Sequence, residues 1–229
     1  RRRRAVNTIR YTQQQVERVL RVSFALARTR RRRLAIVAQD SVLETSRLWR
    51  QVGIELSQEY PDMEVAHIHP DNASHLLIRA PRELDVVIAD DAIMAGMLSD
   101  EAAALMGSMG MPPSAELRPQ VDGQNVELSR CFGLYQPVHG SVPHRAGLNM
   151  VNPIATILSV ALMLRYSFGL PTEADAVEGA VARVLGQGHR TYDIMEPGCD
   201  KVGTREMGDL VARETAPDQI GTLPGQGKG

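Results

Sequence analysis

Apolar positions recur along the chain at two spacings, and the alternation between them marks out its elements. From Tyr11 to Arg28 the side chains of Val16, Val19, Leu20, Phe24 and Leu26 form one helical stripe. Thr12 stands where an N-cap belongs and arginines gather at the far end, so this stretch predicts a helix. Leu34 to Val37 is a short apolar run of strand type. Ser41 to Glu59 returns to helical spacing through Leu43, Leu48, Trp49, Val52 and Leu56. Glu64 to Ile68 and Asp85 to Ala89 read as strands, the second of them buried, with a helical turn at Ser74 to Ile78 between them.

Beyond residue 90 the pattern predicts a small-residue helix over Leu98 to Met106 and a polar loop over Pro119 to Arg130. Leu134, Tyr135 and Val138 alternate as a short buried strand would. Ile154 to Phe168 is a strongly apolar helix closed by Gly169 and Pro171. Further helices are expected at Thr172 to Leu185 and Glu206 to Glu214, and Ala216 to Gly229 reads as a disordered, Gly/Pro-rich tail. Strands alternating with helices give an α/β layered fold. The glycines of Gly107 to Pro113 follow a helix rather than a strand, so they make no dinucleotide-binding fingerprint.

With 43% hydrophobic residues, 229 residues suffice for a substantial core. A net charge of −1 leaves no global field for nucleic acid or a membrane surface. The clusters Arg1 to Arg4 and Arg30 to Arg33 read as solvated positive charge rather than a polyanion site. No apolar run approaches the ~20 residues of a membrane span. Cys131 and Cys199 are solitary, which fits a reducing, cytoplasmic setting without a disulfide framework or zinc site. Lys201 and Lys228 are the only lysines, so a deprotonatable ammonium is almost unavailable.

Candidate chemistry concentrates in Gly133 to Pro153, GLYQPVHGSVPHRAGLNMVNP, a loop dense in Gly, Pro, Ser, His and Asn between a strand and a helix. Such loops bring backbone donors to ligands; a well-capped connection is the plainer reading. The stretch resembles the cofactor loop of the isocitrate/isopropylmalate dehydrogenase family. The chain is similar to that family from about Ala5 to Arg213, most of all to its 3-isopropylmalate dehydrogenase branch. The resemblance implies that family's layered α/β fold, incomplete at the N-terminus, because the long part that precedes the region matching Ala5 has no counterpart. Residues 1–118 would form part of the dimerisation and substrate-metal domain, and 119–215 the C-terminal part of the nucleotide-binding domain.

The same resemblance implies oxidative decarboxylation of a small 2-hydroxy acid, with NAD or NADP and with Mg²⁺ or Mn²⁺, in leucine biosynthesis. Such a reaction needs a base for the hydroxyl proton, a cation for the developing carbonyl and an acid for the enolate. Tyr11 matches the family's acid. Asp71 and Asp100 match metal ligands, Asp71 reaching across from a partner subunit and Asp100 lying near a helix start. Alone, these residues read as a packed tyrosine, a turn aspartate and a first-turn acid. His139, Gly140, Ser141 and Asn152 match positions that contact the adenosine half of the cofactor. At His144-Arg145, basic residues stand where the NAD-using branch has an aspartate, a pattern suited to a 2′-phosphate.

Four positions depart from the family. Gln39 replaces its lysine, Ser41 its asparagine, Gly96 a metal aspartate and Gln136 a glutamate. Asp90 or Asp91 is a candidate to substitute for the lost metal carboxylate, and His67, His69 and His75 read as solvent-facing. Three readings follow: a dehydrogenase with a degenerate site, an inactive relative serving as a partner subunit or nucleotide-binding module, or a gene remnant without a stable fold of its own. The first expects a homodimer, the second a hetero-oligomer whose other chain supplies the N-terminal part.

Overall fold

The computed structural model describes residues 3–215, so the tail expected from Ala216 onward lies outside the described residues. The chain divides into two compact units, Arg1–Ala102 with Pro119–Leu128, and Ala103–Arg118 with Ser129–Gly229.

The first unit runs α1 (Gln13–Arg28), β1 (Arg33–Val37), α2 (Glu44–Ser57), β2 (Glu64–Ile68), α3 (Pro70–Arg79), β3 (Val86–Ala89) and most of α4 (Ala92–Leu105). The expected cap is present: the Gln15 N–H donates to Thr12 Oγ1 at 3.3 Å while Gln15 Oε1 accepts from the Thr12 N–H at 2.9 Å. The sheet has the order β2-β1-β3, with both pairings parallel. Leu34 lies opposite Val65 and Val86, and Val37 opposite Ile68 and Ala89. Leu34 to Val37 are all buried, which explains the unbroken apolar run: a central parallel strand meets core on both faces.

Val16, Leu20 and Phe24 of α1 join Leu34 and Ile36 of β1 and Trp49, Val52 and Leu56 of α2 in one core. A smaller cluster joins Val37 to Ala73 and Leu77 of α3 and Leu98 of α4. Phe24 stacks on Tyr60 with ring centroids 4.2 Å apart. Beside that stack the buried Arg21 guanidinium donates to Glu59 at 2.9 Å and Glu17 at 2.8 Å. In the arginine cluster Arg30 binds Asp85 at 2.8 Å, Arg32 approaches Asp62 at 3.8 Å and Arg33 binds Glu64 at 2.7 Å. These pairs support the solvated reading.

Two helices begin earlier than their sequence pattern suggests. Pro70, at the first position of α3, starts a helix through Arg79 where only a turn was expected. α4 starts at Ala92 because Asp91 Oδ1 accepts the Ile93 and Met94 N–H groups at 2.7 and 2.9 Å. Asp100 therefore lies in the helix interior rather than in its first turn.

The expected loop at Pro119 to Arg130 is instead part of a hairpin. β4 (Pro113–Asp122) and β5 (Asn125–Pro137) pair across a two-residue turn, with Gly123 at φ +55°. Ser129 and Arg130 are both exposed and Arg130 has φ +56°, so the alternation shifts phase there as at a β-bulge. The expected short strand at Leu134 is the end of β5, and Leu134 is exposed rather than buried.

In the second unit α5 (Ile154–Tyr166), α6 (Pro171–Gly186) and α7 (Thr204–Thr215) pack around Ile154, Val181, Val184, Met207 and Val211. Two short parallel strands, β6 (His189–Arg190) and β7 (Asp200–Lys201), complete it. Gly169 at φ +64° ends α5 as expected, whereas Pro171 opens α6.

Candidate functional site

In the first unit the chemistry gathers at the carboxyl ends of β1, β2 and β3, the position where open parallel sheets bind ligands. Tyr11, just before the cap of α1, sets its half-buried ring edge-on to Trp49 at 5.8 Å. Burial, with the negative charges of Asp91 and Asp90, pushes its hydroxyl above the ordinary phenol range. Asp90 follows directly on β3, and its N–H donates to Val37 O at 3.0 Å. Its side chain is 3% exposed, and neither carboxyl oxygen has a hydrogen-bond partner among the described residues. Burial raises this carboxyl, and the charge of Asp91 raises it further.

At the end of β1, the Gln39 amide donates to Ser41 Oγ at 3.2 Å, a neutral pair with nothing to titrate. Asp40 binds His69 at 2.8 Å and Arg50 at 3.1 Å. The His69 contact, followed by the Arg50 charge, holds the Asp40 carboxyl below its usual range. One of the three histidines departs from the solvent-facing expectation. His69, though engaged by Asp40, is exposed, as is His75, while His67 turns inward, where burial and the Arg50 charge lower its affinity for a proton. Its ring also explains Gly53, since a Cβ there would stand 3.0 Å from His67 Cε1.

Both candidate metal ligands are exposed. Asp71 is exposed in the first turn of α3, accepting the Asn72 N–H at 2.9 Å, and Asp100 is exposed on α4. No group of three or more His, Cys, Asp or Glu among the described residues is placed to hold an ion. Asp91 is occupied by the start of α4. At Gly96 a Cβ would meet nothing within 4 Å.

In the second unit, a cavity of about 140 Å³ is lined by residues that include Met109, His139, Val142, Val151, Asn152 and Tyr192. Its polar wall is one network. Asp193 accepts from the Ser108 hydroxyl, from Thr191 Oγ1 at 2.6 Å and from Asn152 Nδ2 at 3.1 Å. Burial would raise the Asp193 carboxyl, but these three donors together hold it below its ordinary range. Asn152 Oδ1 accepts the Ile154 N–H at 3.0 Å, so the same side chain caps α5. Gly110 fits against this network only without a side chain, since a Cβ would lie 2.9 Å from Asn152 Cβ.

Of the predicted loop residues, His139 and Asn152 reach this cavity, whereas Gly140 and Ser141 stay exposed outside it. The loop's far end is fixed: the Thr204 N–H donates to Asn149 O at 3.1 Å and the Arg205 N–H to Asn149 Oδ1 at 2.9 Å. Arg145 lies over the Tyr192 ring at 4.8 Å, which holds a guanidinium beside the cavity, and His144 is exposed. Sequence reasoning missed Ser108, Thr191 and Asp193. They meet across 85 positions of chain, and the local signal was no more than a Thr-Tyr-Asp turn.

The family model described as isocitrate/isopropylmalate dehydrogenase matches residues 1–211. A 3-isopropylmalate dehydrogenase of Pseudomonas fluorescens is 48% identical over 209 residues, 91% of this chain and 55% of the relative. Another, from Dehalococcoides mccartyi, is 47% identical over 92% of this chain and 56% of its own length. Among solved structures, a β-decarboxylating dehydrogenase from Thermococcus kodakarensis superposes with a TM-score of 0.77 at 28% identity, covering 96% of this chain and 61% of that one. Isocitrate dehydrogenase from Methylococcus capsulatus gives 0.75 at 29% identity, over 89% and 57%. The chain therefore spans little more than half the length of the relatives it matches. It belongs to the isocitrate/isopropylmalate dehydrogenase family.

Proposed function

We propose that this chain serves the NAD(P)- and divalent-metal-dependent oxidative decarboxylation of a 2-hydroxy acid of the 3-isopropylmalate type, the chemistry of leucine biosynthesis, from a site with reduced charge. The observation that supports this reading is Tyr11, packed edge-on against Trp49 and pushed above the ordinary phenol range by burial and then by the Asp91 and Asp90 charges. A phenol whose ionisation is opposed by burial and by two carboxylates is a proton donor, the role that a departing carbon dioxide leaves open at the enolate carbon.

The 140 Å³ cavity fits the base of the cofactor's adenosine half, with Val142, Val151 and Tyr192 for its faces and His139 and Asn152 at its edge. Arg145, fixed on Tyr192, favours NADP over NAD by offering a cation to the 2′-phosphate. When bound, the nicotinamide end supplies the hydride acceptor. Asp71 and Asp100 are both exposed, and no group of three or more His, Cys, Asp or Glu among the described residues is placed to hold an ion, so a single copy offers no complete set for the metal. A homodimer is supported by the exposed Ile93 and Met97, one turn apart on α4.

A second reading, that of an inactive partner subunit or nucleotide-binding module, draws on the neutral Gln39–Ser41 pair where a base is needed. The test is NADPH and NADH formation by the purified protein with 3-isopropylmalate and Mg²⁺ or Mn²⁺. Turnover abolished by a chelator supports the dehydrogenase reading. A cooperatively folded protein that binds NADP without turnover supports the second reading.

A further inference from the structure

A second cavity in the second unit lies outside the site described above. Its volume is about 310 Å³, within the ~300–1,000 Å³ of small-molecule sites. Met106, Met111, Leu185, Ile194 and Met195 supply its apolar wall, and all of them belong to that unit. Three thioether side chains let such a wall fit an irregular apolar body.

One cation stands in this wall. Arg190 Nη1 donates to Leu185 O at 2.6 Å and to His189 O at 3.1 Å, so backbone carbonyls fix the guanidinium without neutralising it. The Glu196 carboxylate is 3.7 Å from Nη2, beyond hydrogen-bond reach, and its side chain is 68% exposed. That pair is solvent-screened and weak. The other acid of the cavity, Asp193, has both oxygens taken up by Ser108, Thr191 and Asn152. Nη2 and Nε of Arg190 make no hydrogen bond among the described residues, although the side chain is only 18% exposed. A cation drawn this far from water, with donors to spare, is matched by an anion.

We propose that this cavity binds a small apolar monocarboxylate, with its carboxylate on Arg190 and its short hydrocarbon body among the methionines. A second negative charge on the ligand is opposed by Glu196 and Asp193, which line the same cavity. Dicarboxylates and phosphates are therefore poor ligands here. The inference does not rest on the dehydrogenase reading.

The test titrates the full chain with hexanoate and follows ¹³C-labelled methionine methyl groups by NMR, assigned through single Met→Leu variants. The expected result is saturable shifts at Met106, Met111 and Met195, with a Kd on the order of 1 mM. Met63, which packs on the core of the first unit, stays unshifted. Acetate lacks the apolar body and hexanol the charge, so each binds about tenfold or more weakly. Arg190→Gln weakens hexanoate by a similar factor. Arg190 also braces the end of α6, so two exposed positions repeat the test without it. Met195→Glu, at a side chain 43% exposed, sets a carboxylate against the ligand and abolishes the shifts at Met106 and Met111. Glu196→Gln removes the acid beside Arg190 and tightens hexanoate about twofold to fivefold. The absence of saturable shifts at the three methionines overturns the proposal. So does hexanol that binds as tightly as hexanoate, or an affinity that Glu196→Gln leaves unchanged. None of these readouts involves turnover, so this proposal and the dehydrogenase reading fail separately.

Discussion

Replacing Asp193 tests the second unit's site most sharply, because three donors depend on one carboxylate. In Asp193→Ala the Ser108 hydroxyl, the fully buried Thr191 hydroxyl and the buried Asn152 amide all lose their acceptor. A buried polar group left unmatched costs about 1–3 kcal/mol. The hydroxyls can rotate and losses within one network are not additive, so the total should be about 2–4 kcal/mol. For a protein of this length that lowers Tm by roughly 5–15 °C. Asp193→Asn keeps the shape and part of the acceptance, and should cost about 1 kcal/mol, the loss of charge assistance.

The pH dependence has a definite sign. The Asp193 carboxyl is held below its ordinary range, so its contribution is present above the unfolded-state value and is lost as pH falls through the folded one. Asp193→Asn should therefore flatten the acid limb of the stability curve below about pH 4. Urea unfolding followed by circular dichroism gives the magnitudes, and amide exchange at Gly110 and Ile154 localises the loss. Those N–H groups are bonded to Ser108 Oγ and Asn152 Oδ1. An Asp193→Ala protein within about 0.5 kcal/mol of the native one would refute the network argument, as would acid limbs that coincide in the native and Asp193→Asn proteins.

Two further outcomes follow from single contacts. Arg21→Ala strands Glu59 and Glu17 beside the Phe24–Tyr60 stack and should cost about 2–3 kcal/mol, less than a fully buried pair because both glutamates are partly exposed. The fluorescence of Trp49, the single tryptophan, reports this in the first unit, and Arg21→Lys should not restore the loss because the forked contacts need a guanidinium. Arg145→Asp should weaken NADP binding about tenfold or more, the value of one charge-assisted contact, and improve NAD binding. Calorimetric titration with both nucleotides measures it, and an unchanged preference would remove Arg145 from the cofactor argument.

The first unit was legible in the sequence because its signals are local. The Thr12 to Gln15 capping box and the buried run of β1 each state their structure within a few residues. The hairpin was not legible, since Glu116, Arg118, Gln120 and Asp122 alternate with half-buried neighbours on β4 and Pro119 sits inside the strand. A weakly covered strand containing proline reads as loop by composition. The start of α4 was misplaced because Leu98-Ser99-Asp100 imitates a helix entry, while the working cap is Asp91. For the site, family-matching positions singled out Tyr11, His139 and Asn152 as expectations, of which His139 and Asn152 line one cavity, but Asp90 and Asp193 stand out only through burial and contacts between distant segments.

The most direct measurement is the rate of NADPH formation from 3-isopropylmalate and Mg²⁺ by the native protein and by Tyr11→Phe, at matched folded content. The expected result is measurable native turnover that falls ~10²–10⁴-fold without the hydroxyl, the range for loss of a general acid. A Tyr11→Phe protein that turns over at the native rate would contradict the assignment of the reaction to the carboxyl ends of β1 and β3.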